Sequence, residues 1–269
     1  MKYIPHRSSP LLLFIILLGL WEATTSQSPR LHFLFAAPTE IWASLIRNTV
    51  NGSLLFDALI TGFEALVGFV FGIIFGSFVG FILWYSPFMS RLLRPYLIIL
   101  GAVPIFAFAP MIIIWFGIGL NMKIAMATLG AFLVALTQAQ EGANSINLEE
   151  FRLLKIFGAT RIQIFQKTML PSLLSWLLTS MKLCSGFALL GAFIGEYISS
   201  DKGLGHFMIR AGSLYDMPSV FAGSIYLVMI ALLFNLFIDF FNKNKEIFIS
   251  HISVGEAVKQ ALKTPRSKL

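Results

Sequence analysis

An all-α, polytopic membrane protein with about six transmembrane helices is the fold class this sequence predicts. Three observations lead there: mean hydropathy is +0.81, hydrophobic residues make up 57% of the 269-residue chain, and only 12% of residues are charged. A soluble domain could not bury so much apolar side chain, so lipid is the natural surround. The net charge of +7 and the pI near 9.6 would suit nucleic acid if the basic residues shared one face. They are dispersed between apolar runs instead, which points to membrane orientation and to no nucleic-acid partner. The one cysteine, Cys184, stands inside an apolar run, so no internal disulfide can form and a small, buried role is expected.

The chain divides into an N-terminal segment (1–56), a membrane domain (57–242) and a basic tail (243–269). Lys2, His6 and Arg7 precede a short apolar run, Leu11 to Trp21. Two readings fit it. Ile4, Pro5, Ala23 and Thr24 can extend it into a retained first helix, the favoured reading, while the small residues Ala23 to Ser26 also suit a cleaved signal peptide. Residues 22–54 are polar. Within them, Pro38 to Asn48 places Ile41, Trp42 and Leu45 on one side and Glu40 and Arg47 on the other, an amphipathic helix expected at the outer surface.

A second span is expected over about 57–84. Its Gly68, Gly72, Gly76 and Gly80 recur every four residues, so they share a helix face and permit close packing in lipid. Arg91 and Arg94 then mark an aqueous loop. The third span, about 95–116, is interrupted by Pro104 and Pro110, which free carbonyl groups and kink a helix where an aqueous pathway or another helix supplies partners. That makes it a candidate pathway wall. After the turn at Gly117 to Asn121 come a fourth span (about 122–140), a fifth (about 172–197), a polar stretch (198–218) and a sixth span (about 219–242). The tail is expected to be partly helical over 253–263.

Between the fourth and fifth spans lies a loop, 143–171, whose part from Glu149 to Pro171 carries Glu149, Glu150, Arg152, Lys155, Arg161 and Lys167. So many charges must face water. Phe151, Leu154, Ile156, Phe157, Ile162, Ile164 and Phe165 recur at three- and four-residue spacings, which predicts two short amphipathic helices with Gly158 as the break and Pro171 in the first turn of the next helix. Amphipathicity alone also fits an ordinary cytoplasmic loop. With the N-terminus inside, the loops and termini on the cytoplasmic side hold 14 Lys and Arg against 5 outside, so both termini and this loop are expected in the cytoplasm.

Charges within spans are costly and face protein or water. Glu64 in the second span and Lys182 in the fifth are read as an interhelical pair, with an anion-attracting role in the pathway as the alternative for Lys182. Asn235 and Asp239 are read as packing or interfacial residues. His32, His206 and His251 are scattered without metal-ligand spacing, so no metal is expected. There is no G-x-x-x-x-G-K-[ST] loop and no nucleophile elbow or paired acid and base, so the chain is expected to need no cofactor and not to hydrolyse ATP itself. Energy for any pumping would come from a partner.

Four stretches carry a family resemblance. Gly158-Ala159-Thr160 with Leu170-Pro171 twelve residues on is similar to the EAA loop of binding-protein-dependent ABC importer permeases; Arg152 stands where that family has an acidic residue, with Glu149 and Glu150 nearby. AVPIFAFAPMIIIWFGIG (102–119) resembles the third-helix signature of the nitrate, sulfonate and taurine permeases, and GAFIGEYISSDKGLG (191–205) the end of their fifth helix, with Glu196 at an acidic position and Gly203 to Gly205 as Gly-Leu-Gly. Leu66 to Gly76 resembles their second helix, where relatives often have arginine at the position of Glu64.

The resemblance, over about 40–240, implies a permease in the bacterial inner membrane, surrounded by lipid, acting as a homodimer with ABC ATPase subunits and an external solute-binding protein. It implies ATPase docking through Glu149, Glu150, Arg152, Gly158, Ala159, Thr160 and Pro171. Pro104, Pro110, Lys182, Glu196, Gly203 and Gly205 would belong to the pathway or its gate. Nitrate, taurine, alkyl sulfonates and thiamine-precursor pyrimidines are handled by such permeases. Two rivals stand beside this reading: a gradient-driven secondary transporter, for which no convincing internal repeat is present, and a permease-like scaffold without transport, to which the departures at Glu64 and Arg152 lend support.

Overall fold

A computed structural model of the chain describes residues 9–144, 152–154, 156–160, 163, 170–199 and 201–250. The ordered elements in it are α1 (Ser9–Gln27), α2 (Pro29–Phe35), α3 (Pro38–Val50), α4 (Ser53–Tyr85), α5 (Pro87–Ala102), a 3₁₀ turn (Ile105–Phe108), α6 (Ala109–Phe116), α7 (Leu120–Asn144), α8 (Leu170–Ile198), α9 (Leu204–Ser213) and α10 (Met217–Ser250). The all-α class follows directly. Proline opens α2, α3 and α5, where its missing N–H would have had no partner anyway. Ser28 and Ser86 cap α2 and α5, accepting from the N–H groups of Leu31 and Met89.

Among the described residues, four helices are long and apolar enough to cross a membrane: α4, α7, α8 and α10. A fifth crossing arises if α5 and the segment Ile105–Phe116 are taken together, although they are bent by 101°. The apolar part of α1, Leu11–Gln27, is shorter than these spans and extends about 25 Å at 1.5 Å per residue. The count therefore falls below the six expected.

The expected third span is not one kinked helix, since α5 and α6 are separate helices on either side of the bend. Val103 and Pro104 are extended (ψ 127° and 132°), because the residue before a proline is excluded from helical backbone and Pro104 precedes a new turn. Pro110 lies in the first turn of α6, where it disrupts nothing. Arg91 and Arg94 are exposed on α5 and do not form a separate loop. The polar stretch after α8 also contains a helix, α9.

The chain forms two compact units, Met1–Gly62 with Gly195–Ile230, and Phe63–Ile194 with Ala231–Leu269. In the first, Ser44 on α3 bonds Ser219 (2.9 Å), Thr49 bonds the Tyr226 hydroxyl (2.9 Å), and Trp21 meets Phe221 edge-on with ring centroids 5.7 Å apart.

The second unit is organised by the glycine stripe of α4. Gly68 meets Ala127, Gly72 meets Ala131, Gly76 meets Ala135 and Gly80 meets Ala139, so α4 and α7 run parallel in one constant register with backbones in close approach. A side chain on any of the four glycines would overlap α7. On α7, Gly130 meets the Phe187 carbonyl of α8, and Gly191 of α8 meets the Met126 carbonyl, an antiparallel pairing. Phe69, Ala131, Ala135, Cys184, Ala188 and Ile238 form the buried centre, with Cys184 as the small buried residue expected.

Candidate functional site

The first α9 N–H groups have no intrahelical carbonyl to bond, as at any helix start. Here side chains satisfy them. Glu196 Oε2 on α8 accepts from Gly205 N–H (2.8 Å), Thr61 Oγ1 on α4 accepts from Leu204 N–H (2.9 Å), and Asp57 Oδ1 accepts from Gly203 N–H (2.8 Å). Thr61 Oγ1 also donates to Glu196 Oε1 at 2.6 Å, closing the cluster. Glu196 and Thr61 are buried, at 1% and 0% exposure. Two carboxylates at a helix N-terminus are favourably placed against its dipole.

Gly203 is required twice over: its φ of +103° disfavours side chains, and a Cβ there would overlap the Glu196 carboxyl group. Glu196, Gly203 and Gly205 are thus brought together as a latch between α8 and α9. Asp57 and Thr61 were not singled out in the sequence, although they stand one helical turn apart on a mostly apolar helix, a spacing that places both on one face.

The expected Glu64–Lys182 pair is not formed. Glu64 pairs with Lys123, both buried, and Lys182 pairs with Asp239 at 2.6 Å with both side chains about half exposed. The physical reason is the α4–α7 register. Glu64 stands one turn before Gly68 and Lys123 one turn before Ala127, so the contact that joins the glycine to the alanine also brings the two charges together. Lys123 lies in the first turn of α7, which begins at Leu120. Lys182 lies near the start of the α8 span and Asp239 at the end of the α10 span, matching depths in antiparallel helices.

In the turn around Gly158, Arg152 to Leu154 and Ile156 are helical. Ala159 N–H bonds the Leu154 carbonyl (3.0 Å) across Gly158, whose φ is +77°, the geometry in which a left-handed residue ends a helix. Thr160 and Gln163 then bond reciprocally: Thr160 N–H donates to Gln163 Oε1 (2.8 Å) and Gln163 N–H to Thr160 Oγ1 (3.3 Å). This is the reciprocal pattern of a capping box. Leu153, Ile156 and Phe157 are exposed at 53%, 79% and 81%. Glu149 and Glu150 lie outside the described residues; Pro171 is in the first turn of α8.

The segment Ile105–Phe116 walls an open groove of about 770 Å³ with α4 and α7, lined by Phe71, Phe75, Phe108, Met111, Trp115 and Phe132 among others. Pro104 and Pro110 shape this wall without lining the groove, and Lys182 is not part of it. Among the described residues no cluster of His, Cys, Asp and Glu could hold a metal ion.

Apolar spans packed on small residues define a multi-pass membrane protein. The chain belongs to the binding-protein-dependent transport system inner membrane component family, whose model matches residues 68–246. It is 29% identical to a probable ABC transporter permease protein of Haemophilus influenzae over 86% of this chain and 93% of that one. It is 28% identical to the formylaminopyrimidine transport permease protein ThiX of Halalkalibacterium halodurans (83% and 89%), and 30% identical to the riboflavin transport system permease protein RibX of Chloroflexus aurantiacus (81% of each). The fold matches that of the inward-facing MetNI methionine ABC transporter with a TM-score of 0.63 at 20% identity, over 71% of this chain and 95% of that one.

The chain is accordingly a permease subunit of an ABC importer, a transport subunit and not an enzyme, and it crosses the membrane several times. Membership of this family implies an ATPase and a binding protein as partners.

Proposed function

We propose that the chain works as a homodimer with two separate ATPase subunits and imports a small polar solute delivered by an external binding protein. The nitrate, sulfonate, taurine and thiamine-precursor classes are the cargo candidates; relatives named for formylaminopyrimidine and for taurine support that range. Both termini and the 143–171 loop face the cytoplasm, which the distribution of Lys and Arg supports. The 57–242 domain forms the pathway, 1–56 supplies a first membrane helix and an outer amphipathic segment, and 243–269 is a cytoplasmic tail.

The observation that carries the docking role is the exposed apolar surface of Leu153, Ile156 and Phe157 on a turn fixed by Gly158 and the Thr160–Gln163 box. A water-facing knob with two large side chains about four-fifths exposed is an unfilled contact. Arg152, Gly158, Ala159 and Thr160, with Glu149, Glu150 and Pro171, frame the contact to the ATPase. Closure of the ATPases moves this knob, and the segment carrying Pro104 and Pro110, together with Lys182, responds by opening the pathway on the other side. Glu196, Gly203 and Gly205 act at its outer end.

Affinity purification of the tagged chain from its own membranes in mild detergent tests the reading. An ABC-type ATPase co-purifies with the native chain and is lost with Phe157→Asp or Gly158→Asp, while each variant remains at native levels in the membrane. Absence of any ATPase under conditions that preserve other importers would overturn it and favour a scaffold or a gradient-driven transporter.

A further inference from the structure

None of these roles uses the chemistry of the groove that Ile105–Phe116 walls with α4 and α7. Its volume of about 770 Å³ lies within the roughly 300–1,000 Å³ of small-molecule sites. Six aromatic side chains line it: Phe71 and Phe75 from α4, Phe108, Trp115 and Phe116 from the bent segment, and Phe132 from α7. Phe71 and Phe75 are stacked, with ring centroids 6.1 Å apart and planes 16° from parallel. No lining residue is ionisable. Lys123, on the same helix as Asn121 and Thr128, is buried in its pair with Glu64 and does not reach the groove. An anion or zwitterion here would shed water without meeting a countercharge, which is costly.

Two polar side chains interrupt the apolar wall. Asn121 and Thr128 stand seven residues apart on α7, two turns along one face, so about 10 Å of helix separates them. Neither side chain makes a hydrogen bond with a described residue. Thr25, Thr49, Thr61 and Thr137 each return the hydroxyl to the carbonyl one turn back, the usual way a helical threonine satisfies itself. Thr128, half-buried, does not, and its hydroxyl is available to the groove.

We propose that this groove is a subsite on the import route for an uncharged, planar heteroaromatic solute, stacked on the aromatic walls and hydrogen-bonded by Thr128 and Asn121. The inference rests on the import role proposed above and narrows its cargo to ring compounds, setting aside nitrate, sulfonates and taurine. A lipid acyl chain would fill the apolar space but leave the hydroxyl and the amide without partners, whereas a heteroaromatic ring offers both a face and ring nitrogens.

The test uses the purified complex of the chain with its ATPase in lipid nanodiscs, read by the fluorescence of Trp115, with Trp115→Phe defining the signal of the other four tryptophans. Thymine and quinazolin-4-one are the uncharged probes, nitrate and ethanesulfonate the anionic ones. The uncharged probes change Trp115 emission saturably and the anions do not. Thr128→Val, at native membrane level and with native ATPase association, weakens probe binding about five- to tenfold, and Thr128→Ser retains it. Absence of a saturable response, or one that Thr128→Val leaves undiminished, overturns the proposal. So does quenching of Trp115 by brominated acyl chains that neither ring probe relieves, which would assign the groove to lipid, or an efficient disulfide between two copies carrying Phe75→Cys and Cys184→Ser, which would assign it to a second copy. Nitrate, a sulfonate or taurine released from the associated binding protein overturns it as well. Each of these outcomes leaves the import reading standing; if neither an ATPase nor a binding protein associates with the native chain, the import reading fails and this proposal with it.

Discussion

Glu64 and Lys123 are a buried ion pair, whereas Lys182 and Asp239 are a half-exposed one, and the two should respond differently to substitution. Removing one partner of a buried pair strands the other charge. Glu64→Gln or Lys123→Met is therefore expected to cost about 3–5 kcal/mol, and the double variant much less than the sum. Lys182→Met or Asp239→Asn should cost no more than about 1 kcal/mol, since water or headgroups take over. Thermal unfolding of the purified permease in detergent compares them, and equal losses at both pairs would refute the distinction. Thr61 offers a second contrast: Thr61→Val leaves Leu204 N–H and Glu196 without their hydroxyl partner, at about 1–3 kcal/mol each, while Thr61→Ser retains both bonds. Faster hydrogen exchange at the Leu204 amide in Thr61→Val alone is the expected signature. That Glu64 and Lys182 are intramembrane charges was legible from hydropathy, but their partners were not, because pairing depends on helix register. One clue was present. Ala127, Ala131, Ala135 and Ala139 repeat with the same period as the glycines of α4, and Glu64 and Lys123 each precede their repeat by one turn.

The glycine repeat of α4 could be read as a packing face before its partner was known, since spacing alone fixes which residues share a side of a helix. The packing predicts opposite outcomes for two glycines of one helix. Gly72→Leu drives a side chain into Ala131 and the α7 backbone and should destabilise by about 1–3 kcal/mol or more, whereas Gly62→Ala meets nothing within 4 Å and should stabilise by about 0.5–1 kcal/mol through helix propensity. Unfolding temperature in one detergent measures both; a tolerated Gly72→Leu would mean that α4 and α7 are not packed backbone to backbone. The prolines were legible as interruptions, yet the sequence does not say whether Pro104 kinks a helix or ends it. The 101° break follows from extended backbone at two successive residues, which is a tertiary outcome. The turn at Gly158 was the most legible element of all. Its glycine and the three- and four-residue apolar spacing are local signals, and local signals survive in a sequence, whereas the reciprocal Thr160–Gln163 bonds were not singled out.

At the scale of the molecule, class and family were legible because hydropathy and ordered motifs run along the chain, while the number of crossings was not, since a broken span and a short first helix have the composition of full ones. Sidedness is a property of the whole chain and can be tested on it. The asymmetry of Lys and Arg predicts that Phe157 lies in the cytoplasm and Tyr215 outside. Both side chains are exposed, at 81% and 67%, so a cysteine at either position should be reachable, and the chain's sole native cysteine is buried and replaceable by Cys184→Ser. In intact cells stripped to the inner membrane, a membrane-impermeant maleimide should label Tyr215→Cys and leave Phe157→Cys unlabelled until the membrane is opened. The reverse pattern would place the Gly158 turn outside, where no ATP-driven subunit could reach it, and would remove the basis for coupling. Labelling of both before opening would mean that the charge asymmetry does not orient this chain at all. The expected pattern would put the exposed apolar turn on the side where ATP is hydrolysed and Tyr215 on the side from which a binding protein arrives.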